Sequence, residues 1–173
     1  VGRATFMGMD GKKQSLYFAN TCHVGMGGAV AETVANRTKM FGGFITYLSA
    51  VLSTLATYRN SYLDFDIDGL TFRQKCRDVV IANGEFDGGG IHIAPNARLD
   101  NGFFDAYVMG DMSVAFSVRH IDAFYTGRIM DFADKVSYFR AKRITISSEK
   151  RILVNLDGEL AGQLPATFEV IPG

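Results

Sequence analysis

Through Tyr62-Leu63-Asp64-Phe65-Asp66-Ile67 apolar and polar residues alternate, the period of two that marks a strand with one buried face. Comparable short runs recur at Ala4–Met9, Gln14–His23, Leu70–Gln74, Cys76–Ala82, Ile91–Ile93 and Phe103–Met109. They continue at Val136–Phe139, Arg143–Ser147, Ile152–Leu156 and Ala166–Ile171. Among them fall Asp10-Gly11, Asp68-Gly69, Asn83-Gly84, Asp87-Gly88, Asn101-Gly102 and Asp157-Gly158, pairs that tolerate the positive φ of tight turns. Two segments follow a helical period instead. From Phe44 to Tyr58 the apolar positions Phe44, Tyr47, Leu48, Val51, Leu52, Leu55 and Tyr58 form one stripe, and Val30–Lys39 predicts a preceding helix broken off at Gly42-Gly43. Ser113–Tyr125 predicts another, with Ser113 as N-cap and Gly127 just past its end. Strands at this spacing point to a sandwich or barrel. The expected fold is mainly β, a β-sandwich with a helical insertion, in one domain over residues 1–173.

Composition narrows the functional classes. Eighteen basic residues balance eighteen acidic ones, which excludes the basic footprint of a nucleic-acid binder. The densest basic patches, Lys12-Lys13 and Arg140-Ala141-Lys142-Arg143, read as solvated strand ends. Cys22 and Cys76 have no metal-ligand spacing and form no disulfide framework; buried free thiols in a reducing compartment are expected. There is no run of eighteen apolar residues, so no spanning helix is predicted. The opening Val1-Gly2-Arg3-Ala4 is not a secretory signal and lacks Met, and the chain is expected to be cut from a longer protein.

Several motifs are weaker than they look. Gly25-Met26-Gly27-Gly28 follows an apolar run, but the third glycine of a dinucleotide fingerprint would fall at Val30. A strand-to-helix turn that needs small residues accounts for it better. No Walker A or G-x-S-x-G sequence occurs. His23, His92 and His120 are isolated and read as structural or surface histidines. Gly88-Gly89-Gly90 is either a close backbone approach to a ligand or chain segment, or a mobile loop. Asp157-Gly158-Glu159 places two carboxylates around a turn at the end of an apolar strand. That suits general-base work on a hydroxyl, and equally an ordinary hairpin turn.

Taken in order, Phe18-Ala19-Asn20 with Gly25, Lys39-Met40-Phe41-Gly42-Gly43 with Tyr47, and Ala82-Asn83-Gly84 with Gly88-Gly89-Gly90 make a recognisable series. It runs on through Ile93-Ala94-Pro95-Asn96-Ala97, Asn101-Gly102, Gly127 and Asp157-Gly158-Glu159. The set resembles the C-terminal domain of the diacylglycerol kinase/sphingosine kinase-type lipid kinases, closest to their bacterial members. The resemblance implies the second, β-sandwich domain of a two-domain enzyme whose N-terminal nucleotide-binding domain, with its G-G-D-G-T segment, is absent from this chain. Alone, the chain is expected to be inactive.

Joined to that domain, the implied activity is ATP-dependent phosphorylation of a lipid hydroxyl, diacylglycerol being the type of substrate. Asp157 matches the family's catalytic acid position, and Glu159 would assist through Mg2+ or water. Lys39, or nearby Arg37, aligns with a basic position near the phosphates, and Gly158 lies in the segment facing the nucleotide. Bacterial relatives also hold a structural magnesium by one carboxylate and two carbonyls. The matching positions are Asn101 for the carboxylate and Arg98 and Phe103 for the carbonyls; Asn in place of Asp removes a charge and weakens the site. Asp100 is the neighbour available to compensate. The implied partners are lipid at the membrane surface and the chain's own N-terminal domain, with a homodimer allowed but not required and no nucleic acid. The implied location is cytoplasmic, peripheral to the inner face of the membrane. The alternatives are a non-enzymatic β-sandwich module binding an apolar ligand or partner protein, and an NAD kinase-like second domain.

Overall fold

In a computed structural model, residues 1–36, 43–88 and 90–171 are described, the side chains at 43–46 and 48 excepted. The strands are β1 (Gly2–Met7), β2 (Lys13–Phe18), β3 (Thr21–Gly25), β4 (Ser61–Ile67), β5 (Leu70–Cys76) and β6 (Asp78–Ala82). They continue with β7 (Phe104–Met109), β8 (Val136–Ala141), β9 (Arg143–Ser147), β10 (Leu153–Leu156) and β11 (Glu159–Val170). The helices are α1 (Met26–Ala35), α2 (Gly43–Thr57), α3 (Val114–Arg119) and α4 (Ile121–Tyr125). The strands join antiparallel in the order β5-β4-β9-β11-β10-β3-β6-β7-β8, with β1 against β11 and β2 beyond it.

β11 turns this sheet into a sandwich. Its first half, Glu159–Gln163, pairs with β10, and its second, Ala166–Glu169, pairs with β9. The ladder to β1 skips Leu164-Pro165, where proline has no N–H to give. The sheet curls there, and side chains from both halves meet in one core that includes Phe6, Phe18, Leu63, Phe65, Val79, Ile81, Phe104, Ile144, Ile146, Val154 and Phe168. Phe18 stacks on Phe104 at 5.5 Å and meets Phe168 edge-on at 6.4 Å. A second core lies on the opposite face of β6 and β7, where Val80, Tyr107 and Met109 pack against Met112, Ile129 and Ile93. β6 and β7 are therefore buried on both faces, which explains the unbroken apolar run around Val79–Ala82.

The structure departs from the periodicity in four places. The run Gln14–His23 is two strands, β2 and β3, parted at a corner at Ala19-Asn20. Ile91–Ile93 makes only isolated bridges, Asp87 to Ile91 and His92 to Thr126. Helix α1 begins at Met26, four residues before Val30. The stretch Ser113–Tyr125 is capped as expected, with Ser113 Oγ accepting the Phe116 N–H. It breaks at His120, whose ring packs between Phe116 and Phe132.

Candidate functional site

The corner at Ala19-Asn20 is held from two sides. Asp157, in the β10–β11 turn with φ 49°, takes the Ala19 N–H on Oδ2 at 2.8 Å. Its Oδ1 takes the N–H groups of Asn20 and Thr21 at 2.9 and 3.0 Å. From the other side, the Asn20 carbonyl accepts the N–H of Asn83 at 2.8 Å, and its side chain donates to the Phe86 carbonyl at 2.7 Å. A Cβ on Gly84 would stand 2.3 Å from Asn20 Oδ1, so a larger residue there would displace the Asn20 side chain from its bond to Phe86. Three segments singled out in the sequence, Phe18-Ala19-Asn20, Ala82-Asn83-Gly84 and Asp157-Gly158-Glu159, thus meet at one point.

Asp68-Gly69 repeats the device elsewhere. Asp68 has φ 48°, and its carboxylate takes the N–H groups of Lys142 and Arg143 at 2.9 and 2.8 Å. Both aspartates close a hairpin and clamp the corner of a neighbouring strand. They differ in position: the turn at Asp157 abuts a cavity and the one at Asp68 does not.

That cavity, about 260 Å³, lies between α1, α2, α4 and the face of β3 and β6. Its walls include Met26, Val30, Val51, Leu52, Leu55, Ile93, Met109, Ile121 and Phe124, and Asn155 and Gly158 bring it to the Asp157 turn. Tyr47, Leu52, Ile121 and Tyr125 line it and are also exposed, which marks its mouth. Its predominantly apolar lining with a few polar groups is that of a site for a mainly apolar ligand.

The wall also carries a charged cluster that the sequence reading missed. His23, read there as an isolated structural residue, is buried, with Nδ1 2.8 Å from Asp78 and Nε2 3.0 Å from Asp87. Burial alone would push the imidazole down. Attraction and hydrogen bonds from Asp78 and Asp87 outweigh it and hold the ring protonated, with a pKa raised to about 10. Burial pushes Asp87 up, but His23, the Gly88 N–H and the Thr21 hydroxyl bring it down to about 2. Asp78 also takes the Gly27 N–H at the start of α1. Thr21 joins the cluster to the corner, its N–H on Asp157 and its hydroxyl on Asp87 at 3.0 Å each. The signal was invisible in sequence because the three members lie 55 and 64 residues apart.

The other expected site residues are dispersed. Lys39 and Arg37 lie outside the described residues. Glu159 is exposed at the start of β11, and the Gly158 N–H is donated to Asn155 Oδ1 at 2.9 Å, so it is not offered to a phosphate. The loop 98–103 is closed on itself. Asn101 Oδ1 accepts the Phe103 N–H at 2.9 Å, and Asn101 Nδ2 faces Asp105 at 3.4 Å. The Arg98 carbonyl takes the Asn101 N–H, and the Arg98 guanidinium holds Asp100 at 3.2 Å. Buried Asp105 is neutralised by Arg140 at 2.9 Å. Magnesium demands near-octahedral oxygen donors, usually including a carboxylate, and this arrangement does not fit it. Among the described residues no group of three or more His, Cys, Asp or Glu side chains is arranged to hold a metal. Cys22 and Cys76 are buried free thiols.

Residues 20–173 match the domain family described as the YegS C-terminal NAD kinase beta sandwich-like domain. The chain belongs to this family. Its relatives include the diacylglycerol kinase of Staphylococcus carnosus (strain TM300), 29% identical over 91% of this chain and 51% of that protein. The diacylglycerol kinase of Bacillus subtilis (strain 168) is 23% identical over 91% and 52%. A YegS-type domain therefore accounts for nearly all of the chain, which spans about half the length of the curated relatives it matches. A crystal structure of a diacylglycerol kinase from Bacillus anthracis str. Sterne superposes with a TM-score of 0.60 at 20% identity, covering 100% of this chain and 51% of that one. That likeness confirms the curled β-sandwich with few helices. The chain is a domain of a kinase family.

Proposed function

We propose that this domain is the lipid-holding half of an ATP-dependent lipid kinase that phosphorylates the hydroxyl of a diacylglycerol-like lipid. The observation that carries the reading is the placement of the apolar cavity, which ends against the Asp157-Gly158-Glu159 turn. Acyl chains enter between α2 and α4, and the hydroxyl reaches the polar end of the cavity. Asp157 keeps about one acceptor position beyond its three backbone bonds and receives the hydroxyl proton, with Glu159 assisting from the solvent side. ATP with Mg2+, carried by a nucleotide-binding domain, supplies the phosphoryl group, and positioning supplies most of the rate. The exposed apolar residues Val114, Val118, Ile121 and Tyr125, spaced four, three and four apart on α3 and α4, support a mouth that faces the membrane surface.

The twin turn provides the control for the test. In the full-length protein that carries this chain, Asp157→Asn and Asp68→Asn are expected to lower the thermal midpoint similarly, since each weakens one strand-corner clamp. Asp157→Asn alone is expected to reduce lipid phosphorylation by about a hundredfold or more. Phosphorylation that survives Asp157→Asn removes the residue from the chemistry and reduces the turn to a clamp.

A further inference from the structure

The cavity wall carries eight polar side chains: the phenols of Tyr47 and Tyr125 lie at its mouth, and His23, Arg77, Asp78, Ser117 and Asn155 are engaged inside the protein, although the Arg77 Nε–H has no partner. His23 uses both ring nitrogens. Asp78 is 5% exposed and holds His23 and the Gly27 N–H. Arg77 donates to the carbonyls of Leu55 and Met112 and to Asn60. Ser117 donates to the Ser113 carbonyl, and Asn155 Oδ1 takes the Gly158 N–H. Asp87 differs. Its side chain is 19% exposed, and of about four acceptor positions on a carboxylate, three are filled by Thr21, His23 and the Gly88 N–H.

We propose that Asp87 is the hydroxyl-accepting end of this cavity, a binding residue for the free hydroxyl of a neutral amphiphile, positioned by His23 and Thr21. The inference rests on reading the cavity as a lipid site and adds what selects the lipid. A carboxylate only accepts, so the group it binds must donate. Arg77 and His23 balance the two aspartates of the wall, so selection comes from hydrogen bonding: a phosphate dianion has no proton to donate to Asp87, whereas a free hydroxyl does. Through Thr21 the same carboxylate is tied to Asp157, so Asp87 holds the hydroxyl's single proton in the bound ground state, and the proton turns to Asp157 only when phosphoryl transfer begins.

The test compares binding of 1,2-dioctanoylglycerol and its deoxy analogue, in which hydrogen replaces the hydroxyl, to the full-length protein. A hydrogen bond to a charged acceptor predicts tighter binding of the hydroxyl compound by about ten- to hundredfold. Asp87→Ala is expected to bring the ratio close to one, and Thr21→Val to reduce it. Leu52→Asp, at the mouth, weakens both ligands alike. Equal binding of the two ligands by the unaltered protein overturns the proposal while leaving the lipid cavity standing. A ratio that survives Asp87→Ala overturns the assignment to that residue. Binding of neither ligand overturns the lipid reading and this proposal with it.

Discussion

His23 sits protonated between two carboxylates, and its charge makes a measurable demand on pH. Its folded pKa, about 10, lies above the ordinary 6.5. The stability it contributes is thus fully present below about 6.5 and is lost as pH rises through about 10. Asp87 runs the other way: held at about 2 against an ordinary 3.8, it contributes above 3.8 and fails as pH falls through 2. His23→Gln leaves two aspartates without their partner and is expected to cost about 3–5 kcal/mol at neutral pH, the usual penalty for breaking a buried pair. Denaturation midpoints of both proteins at pH 5, 7, 9 and 10 should show the gap narrowing as pH rises; a constant gap means the ring is neutral. At this scale the sequence is legible only where chemistry is local. Asp157-Gly158-Glu159 stands out as a turn with two acids. His23 does not stand out, because its partners are supplied by β6 and by the 83–91 loop.

Between elements, the informative residues are those that let backbones approach. Helix α1 leaves β3 at Gly25, whose φ of 126° belongs to glycine, and passes β10 so closely that a Cβ on Gly28 would meet the Leu153 carbonyl oxygen at 2.6 Å. Gly28→Val is therefore expected to push α1 off β10 and to lower stability by about 1–3 kcal/mol, an overpacking cost visible in thermal unfolding. The same glycines hid the start of the helix. Met26-Gly27-Gly28-Ala29 has poor helix propensity, so the apolar stripe becomes visible only at Val30. The corner at Ala19-Asn20 was hidden for a related reason. Gln14–His23 reads as one run because β3 is buried on both faces, and the break is imposed by Asp157 from far along the chain. The hairpin β4–β5, by contrast, lies close to its periodicity and its Asp-Gly turn, since all its determinants are local.

Across the whole molecule, the mainly β architecture follows from strand spacing and turn chemistry, whereas the curl of the sheet does not. Nothing in the period-two pattern says that β11 changes partner halfway. Nor does it say that α3 and α4 expose their apolar stripe beside a cavity mouth. That stripe has its own test. Val118→Asp with Ile121→Asp should leave the thermal midpoint unchanged, because both side chains are largely exposed. It should reduce co-sedimentation of the full-length protein with phosphatidylglycerol vesicles several-fold, and unchanged sedimentation would place the membrane contact elsewhere. No helix among the described residues is long and apolar enough to cross a membrane. The position of β11 also governs how the chain is made. Before its residues emerge from a ribosome, β5-β4-β9, β10-β3-β6-β7-β8 and the β1–β2 hairpin are three separate pieces, each showing open strand edges of the kind that pair with other chains. The latest strand in the described chain is the one that closes all three. A nascent polypeptide of this domain therefore stays vulnerable until β11 has emerged, and dependence on chaperones should be concentrated in the interval before it does.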